Sequence, residues 1–257
     1  MGVLESILTA KRESLRALRQ RPLPAPPPPR DVQLKRASGQ PLRIIAEIKR
    51  RSPSAGALST RLGVAERAAA YQQGGAAMLS ILTDEPFFDG RYEDLQAARG
   101  SCDLPLLCKD FVLDEVQLDA ARAFGADAVL LIVRCVSATE LPRLVAAARE
   151  RGLMPLVEVT TELEAQAALD ASADVIGVNA RDLDTLQMDA ARTARVLAAL
   201  PAHVVKVHLS GVSTPAHVID IARGQVDAAL IGEALMRQDD PLPLLSGLTR
   251  AAAENLR

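Results

Sequence analysis

The chain has 257 residues, 49% of them hydrophobic and 24% charged, with 30 basic against 32 acidic side chains and a formal net charge of −2. A chain of this length buries enough surface to fold without disulfides or a structural metal, and its balanced charge disfavours nucleic acid or another polyanion as partner. The three cysteines, Cys102, Cys108 and Cys135, form no C-x-x-C pair and suit neither a zinc site nor a disulfide framework. They read as reduced thiols. The start, MGVLESILTAKRESLRALRQR, interleaves charges with apolar positions, and no run of 18 apolar residues occurs anywhere. Neither a signal peptide nor a membrane span is expected, which points to a cytoplasmic protein.

In chain order, the first element is a helix whose Leu4, Ile7, Leu8, Leu15 and Leu18 share a face and which ends at Pro22. Six of the eight residues from Pro22 to Pro29 are proline, the composition of an extended polyproline II spacer. A rhythm follows. Short apolar runs occur at Ile44–Ile48, Ala77–Leu82, Leu104–Leu107, Ala128–Val133, Met154–Val159, Val175–Val178, Val204–Leu209 and Ala228–Ile231. Between them lie alanine-rich stretches of helical period, such as Val64–Gln73, Val116–Phe124, Thr139–Arg151 and Thr161–Leu169. Strands alternating with helices indicate βαβ units, and strands without polar alternation indicate a parallel sheet covered on both faces. Eight units at this length fit a (β/α)8 TIM barrel, in the α/β class, better than a doubly wound sheet. The expected division is an N-terminal extension over residues 1–43, packed across one barrel end, and a catalytic barrel over 44–257.

In such a barrel the polar residues at the C-terminal strand ends carry the chemistry. Here they are Glu47 and Lys49 on the first strand, Lys109 on the third, Glu158 on the fifth, Asn179 on the sixth and Ser210 on the seventh. Four charges converging on one apolar-walled mouth are costly unless they pair, so the constellation points to acid–base work. Gly211 after the seventh strand and Gly232-Glu233 after the eighth stand where such barrels bind phosphate through backbone N–H groups. His203, His208 and His217 show no metal spacing, and no metal is expected. Cys108, beside Lys109, should face the helices by alternation.

These motifs carry a resemblance to a known family. Ile45-Ala46-Glu47-Ile48-Lys49 with Ser52-Pro53-Ser54, Ser80-Ile81-Leu82-Thr83 with Phe87-Phe88, Lys109-Asp110-Phe111, Leu156-Val157-Glu158-Val159, Asn179 with Arg181-Asp182-Leu183, Ser210-Gly211, and Gly232-Glu233-Ala234-Leu235-Met236-Arg237 resemble indole-3-glycerol phosphate synthase over essentially the whole chain. The resemblance implies a lyase without metal or organic cofactor, acting on a small phosphorylated substrate as a monomer or weak homodimer. It implies Lys109 as general acid, Glu158 and Lys49 as the base and acid of dehydration, and Glu47 orienting the lysines. Asn179 and Ser210 would hold polar groups of the substrate, with Arg181 also in contact, and Phe88, Phe111, Leu130 and Leu183 would wall the anthranilate ring. Ser52, Gly211, Gly232 and Glu233 would hold the phosphate through backbone amides, with the Glu233 carboxylate turned away. Other readings are a different phosphosugar-processing barrel enzyme, or a barrel that binds a phosphometabolite without turning it over. Two positions depart from the family pattern: Leu209 stands where its members usually carry Glu, and Ala180 where they usually carry Asn. The first removes a carboxylate from the edge of the site.

Overall fold

The structure is a computed structural model that describes residues 2–254. Its strands, in chain order, are β1 (Arg43–Ile48), β2 (Arg51–Ser52), β3 (Gly56–Ala57), β4 (Met78–Leu82), β5 (Leu106–Lys109), β6 (Ala128–Ile132), β7 (Met154–Val159), β8 (Val175–Asn179), β9 (Val205–Leu209) and β10 (Ala228–Ile231). The helices are α1 (Val3–Gln20), α2 (Val64–Gln73), α3 (Glu85–Phe88), α4 (Tyr92–Arg99), α5 (Glu115–Ala123), α6 (Glu140–Glu150), α7 (Glu162–Asp170), α8 (Ala190–Ala199), α9 (Pro215–Ala222), α10 (Glu233–Met236) and α11 (Leu242–Glu254). Eight strands, all except the small β2–β3 hairpin, pair in parallel and close on themselves, β10 returning to β1. The architecture is a (β/α)8 barrel preceded by a helix.

The alternation of the pleat sorts each strand into two cores. Outward residues such as Ile44, Ile81, Cys108, Val129 and Val157 pack beneath the helices. Inward residues such as Ile45, Met78, Leu107, Leu130, Leu156, Val207 and Leu230 fill the barrel axis. At Gly177 a Cβ would fall 2.7 Å from Leu209 Cδ1 and 2.8 Å from Leu156 Cδ2, so the missing side chain makes room for two leucines of that inner core. The third barrel strand starts two residues later than its apolar run suggests. Pro105 has no N–H to give the ladder, and the strand instead extends through Lys109, opposite Leu82.

The proline-rich segment is a strap bound to the barrel wall. Arg122 and Arg99 donate to the carbonyls of Pro27 and Pro28, and the Arg30 amide donates to Asp127 Oδ1 at 2.7 Å. Asp127 precedes β6, so the strap ends at the opposite end of the barrel from α1. Eight residues of polyproline span about 25 Å, enough to descend a barrel whose strands of six residues rise about 20 Å. Asp127 and Asp227 then do matching work beneath the barrel. Asp127, 2% exposed, also accepts from Arg99 at 2.7 Å and from the Leu106 amide at 3.0 Å. Asp227 accepts from the amides of Arg36 at 2.9 Å and Lys206 at 2.8 Å and from the Lys35 ammonium at 3.3 Å. Each carboxylate thereby ties the extension to a strand start.

Removing one partner of a buried pair leaves the other uncompensated. Asp127→Ala should cost about 3–5 kcal/mol in urea unfolding while leaving turnover at low temperature unchanged, because Asp127 lies at the far end from the strand-end charges.

Candidate active site

A cavity of about 360 Å³ opens at the C-terminal strand ends. It gathers Glu47, Lys49, Ser52, Phe88, Lys109, Phe111 and Glu158 on one arc and Asn179, Arg181, Leu183, Ser210, Gly211, Gly232 and Glu233 on the other. Leu130 is the exception. It is 1% exposed and pairs in register with Leu156, one layer below the pairing of Ile132 with Glu158. Ile132, the next inward residue of the same strand, lines the cavity in its place.

The charges form two cation–carboxylate pairs. Lys49 Nζ lies 2.7 Å from Glu47 Oε1, and Lys109 Nζ lies 3.7 Å from Glu158 Oε2. The carboxylates are 2% and 1% exposed. Glu158 Oε1 accepts from Asn179 Nδ2 at 2.8 Å, and Asn179 Oδ1 accepts from the Arg181 amide at 3.0 Å. Glu47 Oε2 and Glu158 Oε2 are buried and accept no hydrogen bond. Such an oxygen is costly to maintain and is open to a substrate donor.

The glycine turns flank the first pair. A Cβ on Gly232 would fall 2.2 Å from Glu47 Oε1 and 3.1 Å from Lys49 Nζ, so the bare backbone is what lets this pair sit against the turn after β10. Lys49 therefore stands at the phosphate-binding end expected from the sequence. After β9, Ser210 and Gly211 are both left-handed, at φ +69° and +78°. Glycine adopts this freely, while serine held there stores of order 1–3 kcal/mol, a cost that clusters at functional sites. The Glu233 carboxylate turns to its own helix, bonding Arg237 at 2.8 Å, with Arg181 at 3.8 Å. The Arg237 hydrogen bond, helped by the charges of Lys49 and Arg181, outweighs burial and holds its pKa below the usual carboxylate range. Ser52 is 5% exposed, and its hydroxyl accepts from the Ala55 amide within the β2–β3 hairpin.

The apolar wall is built by Phe88 and Phe111, ring centroids 6.1 Å apart, with Leu82, Ile132 and Leu183. Val3, Leu4 and Ile7 of α1 also line the cavity, so the N-terminal helix forms part of the chamber. Leu209, 2% exposed, wedges between this cavity and the inner core. Several lining residues carried no sequence signal of their own. Arg237 ended a quoted motif without a role, and Ile132 was legible only as the next inward position beyond Leu130. Burial pushes the thiols of Cys108 and Cys135 up to about 12, away from the thiolate form a nucleophile needs. His208 lies outside the cavity, where burial, with a smaller contribution from the charge of His217, brings it down to about 4. Among the described residues no three His, Cys, Asp or Glu side chains are placed to share a metal ion, and no helix is long and apolar enough to cross a membrane.

Known proteins resemble this chain in sequence and in fold. Residues 4–245 match the family model described as indole-3-glycerol phosphate synthase. The chain is 45% identical to "Indole-3-glycerol phosphate synthase 1" of Streptomyces coelicolor, over 98% of this chain and 96% of that one. It is 43% identical to the indole-3-glycerol phosphate synthase of Kineococcus radiotolerans, over 98% and 97%. Among solved structures, the thiamine phosphate pyrophosphorylase of Pyrococcus furiosus superposes with a TM-score of 0.64 at 18% identity, covering 84% of this chain and 96% of that one. The 3-hexulose-6-phosphate synthase of Salmonella typhimurium does so with 0.62 at 13%, covering 82% and 98%. These two share the barrel fold. The full-length sequence matches place the chain in the indole-3-glycerol phosphate synthase family.

Proposed function

We propose that this cavity converts 1-(2-carboxyphenylamino)-1-deoxyribulose 5-phosphate to indole-3-glycerol phosphate, carbon dioxide and water, with Lys109 as the acid that starts ring closure. The observation that carries the reading is the pair of lysine–carboxylate couples facing one chamber, each with a buried carboxylate oxygen that accepts no hydrogen bond. The ring carbon bearing the carboxylate is a weak nucleophile. Its attack on the C2′ ketone needs a proton delivered to the carbonyl oxygen as the carbon–carbon bond forms. Lys109, set against the apolar wall that would hold the ring, supplies it. The bond to the carboxylate then breaks, and carbon dioxide leaves as its electrons return to the ring. Loss of the C2′ hydroxyl as water, with release of a proton, completes the indole. Glu158 takes that proton on Oε2, which accepts no hydrogen bond, and Lys49 serves the departing hydroxyl.

Each remaining contact has a physical reason. Glu47 holds Lys49 at the phosphate end, where the turns at Gly211 and Gly232 and the hairpin at Ser52 receive the phosphate by backbone N–H groups. Asn179, fixed by Glu158 and the Arg181 amide, and Ser210 hold the substrate's hydroxyl groups, while Arg181 contacts its anionic end. Every step is a proton transfer or a bond change within the substrate, so side chains suffice and no cofactor enters. The same reading makes the protein cytoplasmic and a monomer or weak homodimer, its N-terminal segment 1–43 an appendage of one catalytic barrel over 44–257.

Mixing the protein with the carboxyphenylamino substrate and following indole fluorescence tests the activity; no product at any concentration would overturn it. Lys109→Met should lower turnover by a factor on the order of 10²–10⁴, the usual contribution of one general acid, and near wild-type turnover would remove Lys109 from the role. Leu209→Glu tests the departure from the family pattern. Both ends of the Asn179 amide are already held, the two cavity lysines each already face a glutamate and the cavity's Arg181 and Arg237 already face Glu233, so a further carboxylate here finds no unpaired cation. The substitution should lower stability by about 1–3 kcal/mol without raising kcat/KM. A kinetic gain would mean that the lost carboxylate is still missed.

A further inference from the structure

Lys11 occupies the barrel-facing side of α1, between the buried Ile7 and Leu15, and is 7% exposed. Its ammonium lies 2.7 Å from Asp84 Oδ1 and 2.6 Å from Asp110 Oδ1, two carboxylates that are 1% and 2% exposed. Burial works against the charge on Lys11, but the charges of Asp110 and Asp84 and their hydrogen bonds outweigh it, and its pKa lies above the usual lysine value. The other oxygens are also held. Asp110 Oδ2 accepts from Thr83 Oγ1 at 3.1 Å and Tyr92 OH at 3.5 Å, Asp110 Oδ1 from the Phe111 amide at 2.8 Å, and Asp84 Oδ2 from the Phe87 amide at 3.0 Å. One buried ammonium thus joins three separate elements: α1, the cap of α3, and the turn after β5.

What these elements carry gives the cluster its meaning. Asp110 immediately follows Lys109 and precedes Phe111, and Asp84 caps the short helix that ends at Phe88. Phe88 and Phe111 face each other across the cavity wall. We propose that Lys11 is a positioning residue for ring closure: by pairing with Asp84 and Asp110 it sets the turn that presents Lys109 together with the Phe88–Phe111 wall. Docking of α1 is thereby a condition for a correctly placed acid. This rests on the reading of Lys109 as that acid. Without Lys11, two buried carboxylates face one another with no cation, and one must take up a proton or turn away, shifting the backbone at 110. A misplacement of about 1 Å at a catalytic group costs about 10²-fold in rate.

The test compares Lys11→Met with Leu15→Ala, a buried residue of the same helix that does not line the cavity. Kinetics are measured well below the melting temperature of each variant. Both should melt earlier than the parent. Lys11→Met should lose 10- to 100-fold in kcat, whereas Leu15→Ala should keep kcat within twofold. Lys11→Gln, which keeps one donor toward the carboxylates, should lose three- to tenfold and decides the matter if Lys11→Met does not fold. A kcat within twofold of the parent in a folded Lys11 variant would overturn the inference. So would equal losses in Lys11→Met and Leu15→Ala, or a rise in KM alone, which would leave α1 a cover for the substrate. If Lys109→Met stays active the reading of Lys109 fails whatever Lys11 does, and if Lys109→Met is dead while Lys11→Met is normal, only this inference falls.

Discussion

A carboxylate taken out of water must find a cation or several donors, and this requirement organises both ends of the barrel. Beneath it, Asp127 and Asp227 meet arginine, lysine and backbone amides on both oxygens. At the mouth, Glu47 and Glu158 each meet a lysine yet keep one oxygen that accepts no hydrogen bond. The same chemical group is thus used in two ways. Where both oxygens are hydrogen-bonded the residue fixes the frame, and where one accepts no hydrogen bond the protein carries a cost that a substrate donor would offset in the proposed reaction.

The N-terminal segment follows from the same constraint. Its helix cannot lie on the barrel by apolar contact alone, because the barrel rim there presents Asp84 and Asp110. Lys11 makes that rim compatible with burial, and the proline-rich strap carries the chain from the mouth to the underside, where Arg30, Lys35 and Arg36 meet the two lower aspartates. One segment therefore closes the chamber at one end and locks the strand starts at the other.

Much of this was legible in the amino-acid sequence because parallel strands write themselves as continuous apolar runs, and barrels place polar residues at fixed ends of them. Glu47, Lys49, Lys109 and Glu158 stood out because each breaks an apolar run where the fold would otherwise favour burial. Leu130 was misplaced by one layer, since alternation gives the inward face but not the depth, and only the register opposite Leu156 settles it. Lys11 was hidden inside an amphipathic pattern. Helical spacing groups it with Ile7 and Leu15, but a lysine on an apolar stripe reads as a solvated interruption until its two carboxylates, more than seventy residues away, are brought alongside. The strap along the barrel wall was equally hidden, because composition reports its stiffness and not what it is bound to. Contacts between segments distant in sequence are what local patterns leave out.

The claim that the mouth keeps its carboxylates partly unsatisfied for the sake of the reaction is tested most directly by the stability of neutralised variants. Glu158→Gln and Glu47→Gln remove a buried charge with one oxygen that accepts no hydrogen bond, in the manner of sites where stability is traded for activity. Their melting temperatures, measured without substrate, should match or exceed that of the parent while turnover collapses. A fall of several degrees in both would mean that these carboxylates serve the frame as Asp127 does, and would contradict the account.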